Sequence, residues 1–484
     1  MRNATTRSLN LLDLVAFLFI LIATALALYR PIIPYDSWWY HLPFSARLFG
    51  IGGGAATFHV DPLSTERWWG FPLLWEWICG ALWFLTGALR SIIIPQILLC
   101  LTFFAYLWRV QQVPFSWVIF GLFASPMVLI HYEATYLDLP AGLLIALGFF
   151  LFVDLIEAAG NGETPLRSAK APIAVACFAA AGNIKYQGLI GAVAVTAAIA
   201  ILCLAFRTPA RFRGAIACLL ILANLLGAIS VLKNWSLLGS PTYPIAIAVG
   251  DKTFFPGPES PDRDNDKPSY LIGGKSFALP EPVNFALSLT ELDWTLRGVV
   301  PWYNVDALAG KFPIRGGPGR TGGFGAAFIA FNLTVLIIQL VFLRKESDRK
   351  QKIIVLGAAL VLVLTALLPR SHELRYWFFL PLILAGGNLR FLARNNFPPE
   401  LVQAALAAGM LFGVSLAALS PRSQLLRTTP VSMTDLRGAI PTAVELALQG
   451  DGRYCDASDD GLFRYSEAVT GRKGVLSRDP SDCR

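Results

Sequence analysis

Apolar residues in this chain come in long runs, separated by short polar interruptions. Eleven runs stand out, at about 11–28, 91–108, 115–131, 139–156, 171–184, 188–206, 214–232, 324–343, 353–369, 376–393 and 399–420. At about 1.5 Å of rise per residue, helices of this length approach or match a hydrocarbon layer of roughly 30 Å. The pattern predicts an all-α polytopic membrane protein with about eleven transmembrane helices. The first run follows Arg2 and Arg7 and lacks a small-residue cleavage site, so it reads as a retained helix rather than a removed signal.

Composition sharpens this class. Of 484 residues, 55% are hydrophobic and only 15% charged, and the mean hydropathy is +0.56. Soluble domains carry about 25% charged residues. The deficit excludes a soluble enzyme, a disordered chain and a nucleic-acid binder. Five of seven cysteines (Cys79, Cys100, Cys177, Cys203 and Cys218) lie in apolar runs and read as small core residues.

A twelfth stretch, 69–87, is ambiguous, and charge resolves it. With the amino terminus inside and 69–87 not spanning, the clusters around Arg109, Arg167–Lys170, Arg207–Arg213, Arg344–Lys352 and Arg390–Arg394 all fall inside. Cytoplasmic loops are enriched in Lys and Arg. If 69–87 spanned, every later cluster would flip outward. The stretch is therefore expected in the outer interface. Its tryptophans agree, since seven of thirteen (Trp38, Trp39, Trp68, Trp69, Trp75, Trp77 and Trp83) fall between 38 and 83 and Trp favours the headgroup layer. The net charge of +8 then becomes largely an orientation signal.

The expected organisation is a transmembrane domain over 1–420 and a small outer tail or domain over 421–484. Two long outer loops, 29–90 and 233–323, interrupt the bundle, the first carrying interfacial helices. Cys455 and Cys483 lie in the tail, where an oxidising compartment would permit a disulfide or leave two free thiols.

On the expected outer face the scarce charges become informative. Asp36 lies in YDSWWYHLP, beside Tyr40 and His41. Asp138 lies in ATYLDLPAG, just after His131, Tyr132 and Glu133. Lys185 sits in the turn GNIKYQG, Arg375 and Tyr376 in HELRYW, and Arg90 in ALRS. Carboxylates beside cations at headgroup depth suit a phosphate-bearing lipid substrate: an acid takes a proton while Lys and Arg stabilise a departing phosphate. The blander alternatives are that Asp36 and Asp138 cap helices and that Arg90 and Arg375 snorkel from helix ends. The histidine spacing fits no zinc signature.

These blocks together resemble the GT-C glycosyltransferases, integral membrane enzymes that use polyprenyl-phosphate-linked sugars. YDSWWYHLP resembles their first-loop acidic motif and ATYLDLPAG their second. GNIKYQG, ALRSIII, KNWSLLGSPTYP (which contains Tyr243) and ELRYWFFLP resemble further blocks of the group, over roughly residues 10–395. The nearest resemblance is to protein mannosyltransferases and to bacterial lipopolysaccharide-core and lipid A-modifying transferases. Ser37 stands where the protein mannosyltransferases have the second acid of an Asp-Glu pair, which leaves the acceptor open as glycan, lipid or protein.

The resemblance implies a bacterial inner-membrane enzyme of cell-envelope glycan synthesis with its site facing the periplasm. Asp36 would be the general base, and Asp138, the second catalytic carboxylate, would orient the acceptor or a cation. Tyr40, His41, Arg90, Lys185, Tyr243, Arg375 and Tyr376 would bind substrate. Some relatives use a divalent metal and others none, so cofactor need stays open. A flippase for a lipid-linked saccharide and a lipid-linked glycan polymerase or ligase are the competing readings.

Overall fold

The computed structural model describes residues 11–29, 41–51, 62–249, 252–259, 269–272, 275–278, 280–290, 324–344, 346, 348–368, 370–371, 373–395, 397–419, 453–454 and 475–476. The architecture over them is an all-α membrane bundle. In chain order the helices are α1 (Leu11–Tyr29), α2 (Leu42–Phe49), α3 (Pro62–Gly70), α4 (Leu74–Thr86), α5 (Ile94–Ala105), α6 (Phe115–Phe123), α7 (Pro126–Glu133), α8 (Asp138–Gly160), α9 (Lys170–Ile184) and α10 (Tyr186–Ala205). There follow α11 (Ala210–Gly227), α12 (Ile229–Leu238), α13 (Glu281–Thr290), α14 (Ala326–Val341), α15 (Arg349–Ala366), α16 (Phe379–Arg394) and α17 (Pro399–Leu419). Two antiparallel hairpins, Ile247–Val249 with Lys252–Phe255 and Ser269–Ile272 with Lys275–Ala278, lie between α12 and α13.

Five of the described helices are long and apolar enough to cross a membrane, and six if one bent pair counts as a single span. The surface agrees with a lipid solvent. Leu11, Phe17, Leu21 and Ile22 of α1 are exposed, while Ala16, Ile20, Ala23 and Ala27 face the bundle. Such an apolar exterior is stable only where hydrocarbon replaces water.

At the centre stands α8. From Asp138 to Ile156 nearly every side chain is buried, as expected for a helix apolar on all sides. Its Pro140 falls in the first turn, where the missing N–H breaks no helical bond. Around α8 pack α5, α9, α10, α15 and α16. With 23 residues it is about 34 Å long, so its two ends lie roughly a membrane apart.

The expected span 115–131 is divided, and so is the stretch 69–87 expected at the interface. The run 115–131 breaks into α6 and α7, which meet at 98°. The cause is Pro126, which sits at the start of α7 behind an extended Ser125 and has no N–H to continue α6. The run 69–87 also divides, into the end of α3 and the 13-residue α4. At about 20 Å, α4 alone is too short to cross a bilayer. It packs against α2 and against the 3-10 turn Leu89–Ile93. Trp75, Cys79 and Trp83 of α4 share a core with Leu137, Ala141 and Ile184, which fixes α4 to the Asp138 end of α8. Of the five cysteines in apolar runs, Cys218 differs from expectation: it lies exposed on α11, while the other four are buried.

Candidate functional site

Asp138 is the first residue of α8, yet it does not cap it. The cap position is Leu137, with no side-chain cap bond. Asp138 is instead buried at 3% exposure and takes Lys185 Nζ on its Oδ1 at 2.7 Å. Its other oxygen, Oδ2, accepts no hydrogen bond among the described residues. Lys185 reaches it because the chain breaks between α9 and α10: Lys185 is extended, with φ −156° and ψ 148°, and it leaves the helical direction for one residue.

Arg375 comes to the same place from the 3-10 turn Leu374–Trp377. This turn approaches α8 closely because residue 142 is glycine; a Cβ there would stand 2.4 Å from Cβ of Phe378. The guanidinium lies 5.8 Å from the ring centre of Tyr136 and 5.0 Å from that of Tyr376, and it donates to the Tyr376 hydroxyl at 3.2 Å. Lys185 Nζ stands 4.5 Å from the same Tyr376 ring. Two cations thus share one tyrosine. The counter-charges are Asp138 and, at 3.9 Å from Arg375 Nε, Glu373. Behind Tyr136 the imidazole of His131 stacks at 5.2 Å and abuts Phe378 at 4.5 Å. Arg375 is held between rings and is not a snorkelling side chain.

Beside this cluster lies a polar knot. The Tyr186 hydroxyl is within 2.7 Å of both the Gly70 and Tyr243 carbonyls. Asn234 Nδ2 reaches the same two carbonyls, at 2.7 and 3.1 Å, and also the Tyr186 oxygen. One O–H and two N–H groups therefore serve three acceptors, with no donor left over. The Tyr243 hydroxyl donates to Glu66. Arg67 grips Glu259 with Nε at 2.6 Å and an Nη at 2.8 Å. The knot straps α3 to α12 and to the 243–259 segment. Gly70 is obligatory in it, since a Cβ would lie 2.3 Å from the Tyr243 carbonyl oxygen.

His41 donates or accepts at 2.6 Å with Glu76 Oε1. The pair borders a small cavity lined by Leu42, Ser45, Trp75, Cys79, Ile92, Thr135 and Leu137. Arg90 is exposed, and no hydrogen bond, ion pair or ring contact joins it to the cluster among the described residues. Asp36, Tyr40, His372, Cys455 and Cys483 lie outside the described residues. No group of three or more His, Cys, Asp or Glu able to hold a metal occurs among those described.

Sequence reading passed over Glu76, Tyr136, Tyr186, Asn234 and Glu373. Glu76 had a signal, being the only charged residue in 69–87. Tyr186 and Asn234 lay within blocks already singled out. Tyr136 becomes visible only when α8 and the 374–377 turn are brought together.

The opposite end of α8 carries a second, different network. Asp154 pairs with Lys170 at 2.6 Å and with Lys350 at 2.5 Å, and accepts from the Tyr106 hydroxyl at 3.0 Å. Gln351 links Gln339 to Arg390, and Arg390 reaches Asp348 at 2.7 Å. Burial works against ionisation of Asp348, but Arg390 and the Gln351 amide outweigh it and hold the carboxyl below its usual range. Each buried charge here has its partner, as the low dielectric requires.

No family model, no curated protein and no solved structure matches this chain.

Proposed function

We propose that the chain is an inverting glycosyltransferase of the GT-C type, moving a sugar from a polyprenyl-phosphate donor to an acceptor hydroxyl. The observation that carries this reading is the convergence of Lys185 and Arg375 on the Tyr376 ring beside buried Asp138. Two cations with restrained geometry suit a phosphate. Arginine presents a planar fork for it, and lysine a movable point charge.

The chemistry is a single displacement. The acceptor oxygen attacks the anomeric carbon, its proton passes to Asp36, and the bond from the anomeric carbon to the phosphate oxygen breaks. The phosphate, one negative charge richer, leaves against Arg375. Lys185 joins it by exchanging Asp138 Oδ1 for a phosphate oxygen, while Asp138 orients the acceptor or a cation. Donors aimed at developing charge lower the barrier because they need no reorganisation.

The topology proposed with it has about eleven spans, places the Asp138 end outside and the Asp348 end inside, and locates the protein in a bacterial inner membrane. The second network supports that orientation: Lys170, Arg349, Lys350, Arg390 and Arg394 gather at the end assigned to the cytoplasm. Vesicles containing the protein, supplied with polyprenyl-phosphate sugars and a saccharide acceptor, test the function. Transfer that is lost in Asp36→Asn supports it. Movement of the intact lipid across the bilayer without transfer refutes it in favour of a flippase.

A further inference from the structure

Glu76 is a buried carboxyl that the proposed mechanism does not use. It sits on α4 with 2% exposure. One oxygen is taken by His41 at 2.6 Å. The other, Oε2, is buried without a hydrogen-bond partner among the described residues. A buried carboxylate oxygen without a donor is costly. Such a group calls for a donor from outside the chain, supplied by a water, an ion or a ligand.

The adjoining cavity is small, about 20 Å³ and partly open, with room for a single hydroxyl or a single water. Glu76 and His41 line it together with Ser45 and Thr135, and Leu42, Trp75, Ile92 and Leu137 form apolar walls. A carboxylate oxygen there repels phosphate and calls for a hydrogen-bond donor. An indole ring and aliphatic walls accept C–H surface. One hydroxyl reaching in from a molecule seated outside the cavity satisfies both demands, whereas a bound water satisfies the first alone. The cavity also belongs to the cluster's surroundings: Thr135 and Leu137 flank Tyr136, which stacks on Arg375, and Leu137 immediately precedes Asp138.

We propose that Glu76, oriented by His41, forms a hydroxyl-binding subsite that reads the saccharide, separate from the cations that read the phosphate. This rests on the glycosyltransferase reading and deepens it. The hydroxyl belongs either to the donor sugar or to the acceptor. Glu76 touches substrate in this assignment but takes no part in bond making.

The test uses the full chain in lipid nanodiscs. Binding is measured for polyprenyl phosphate without sugar and for polyprenyl-phosphate mannose, glucose and arabinose. If the donor supplies the hydroxyl, one sugar-bearing lipid should bind about tenfold more tightly than the bare lipid, as expected for a hydrogen bond to a charged group. In Glu76→Gln that preference should fall towards unity, with bare-lipid affinity unchanged. If the acceptor supplies it, Glu76→Gln should instead weaken binding of soluble methyl glycosides and spare the lipid-linked sugars. Undiminished saccharide binding in both arms overturns the subsite. Failure of even the bare lipid to bind the wild type overturns the functional reading as well. Glu76→Asp retains the charge but withdraws it by one methylene; it should show the same loss, and it replaces Glu76→Gln if that variant does not fold.

Discussion

Lys185 Nζ and Asp138 Oδ1 meet at 2.7 Å across 47 residues of sequence. The pair joins the break between α9 and α10 to the first turn of α8. Removing one member leaves the other charge in a site largely closed to water. Lys185→Met should therefore destabilise the protein by about 3 kcal/mol or more, and the double variant Lys185→Met with Asp138→Leu by less than the single. Thermal unfolding in detergent measures both. A double variant less stable than the single would refute the pairing.

Arg375→Lys should reduce sugar transfer at least tenfold while leaving expression intact. The ammonium keeps the charge but loses the planar face between Tyr136 and Tyr376 and the two-pronged grip on phosphate. Transfer rates in reconstituted vesicles decide it; unchanged rates would remove Arg375 from the phosphate site.

Asp348 predicts an acid limit on stability. Its carboxyl is depressed in the folded state, so the folded chain binds a proton there less readily than the unfolded chain does. The resulting stabilisation is full above the unfolded value of about 4 and is lost as pH falls through the folded value. Wild type should lose thermal stability below about pH 4. Asp348→Asn should be less stable at neutral pH and lose less over the same interval.

In the knot, Gly70→Ala should be far more damaging than Tyr186→Phe. The added methyl meets the backbone carbonyl of Tyr243, which no rotamer change can relieve. Loss of the Tyr186 hydroxyl still leaves Asn234 two N–H groups for the two carbonyls, a cost of about 1 kcal/mol. Comparative melting temperatures settle the order.

Orientation has its own assay. Thr86 and Glu163 are exposed at opposite ends of the bundle. In a cysteine-free background, a cysteine at 86 should react with an impermeant thiol reagent in intact cells and one at 163 should not. The reverse pattern inverts the proposed topology.

Much of the bundle was legible from apolar runs alone, because lipid imposes a length on any spanning helix. Where the run 115–131 failed to form one straight helix, one residue was responsible. Pro126 divides an otherwise uninterrupted apolar stretch, and hydropathy assigns no cost to a missing N–H. The site was legible as separate charges, since Asp138, Lys185 and Arg375 stand out in apolar surroundings. Their relation was not. It depends on Gly142 admitting Phe378 and on an extended Lys185, both tertiary matters. The pairing of His41 with Glu76 was equally hidden, because α2 and α4 meet across an intervening stretch that carries no apolar signature.

Lys185 and Tyr186 are neighbours in sequence but serve different masters, Asp138 and the strap at Gly70. One extended residue followed by a helix start leaves almost no slack between them. Lifting α3 away from the bundle would pull Tyr186, and with it the lysine, off its carboxylate. The fold therefore contains an interlock: the site cannot be unroofed at that edge and remain electrostatically assembled, so the lipid donor proposed above would have to approach from another side.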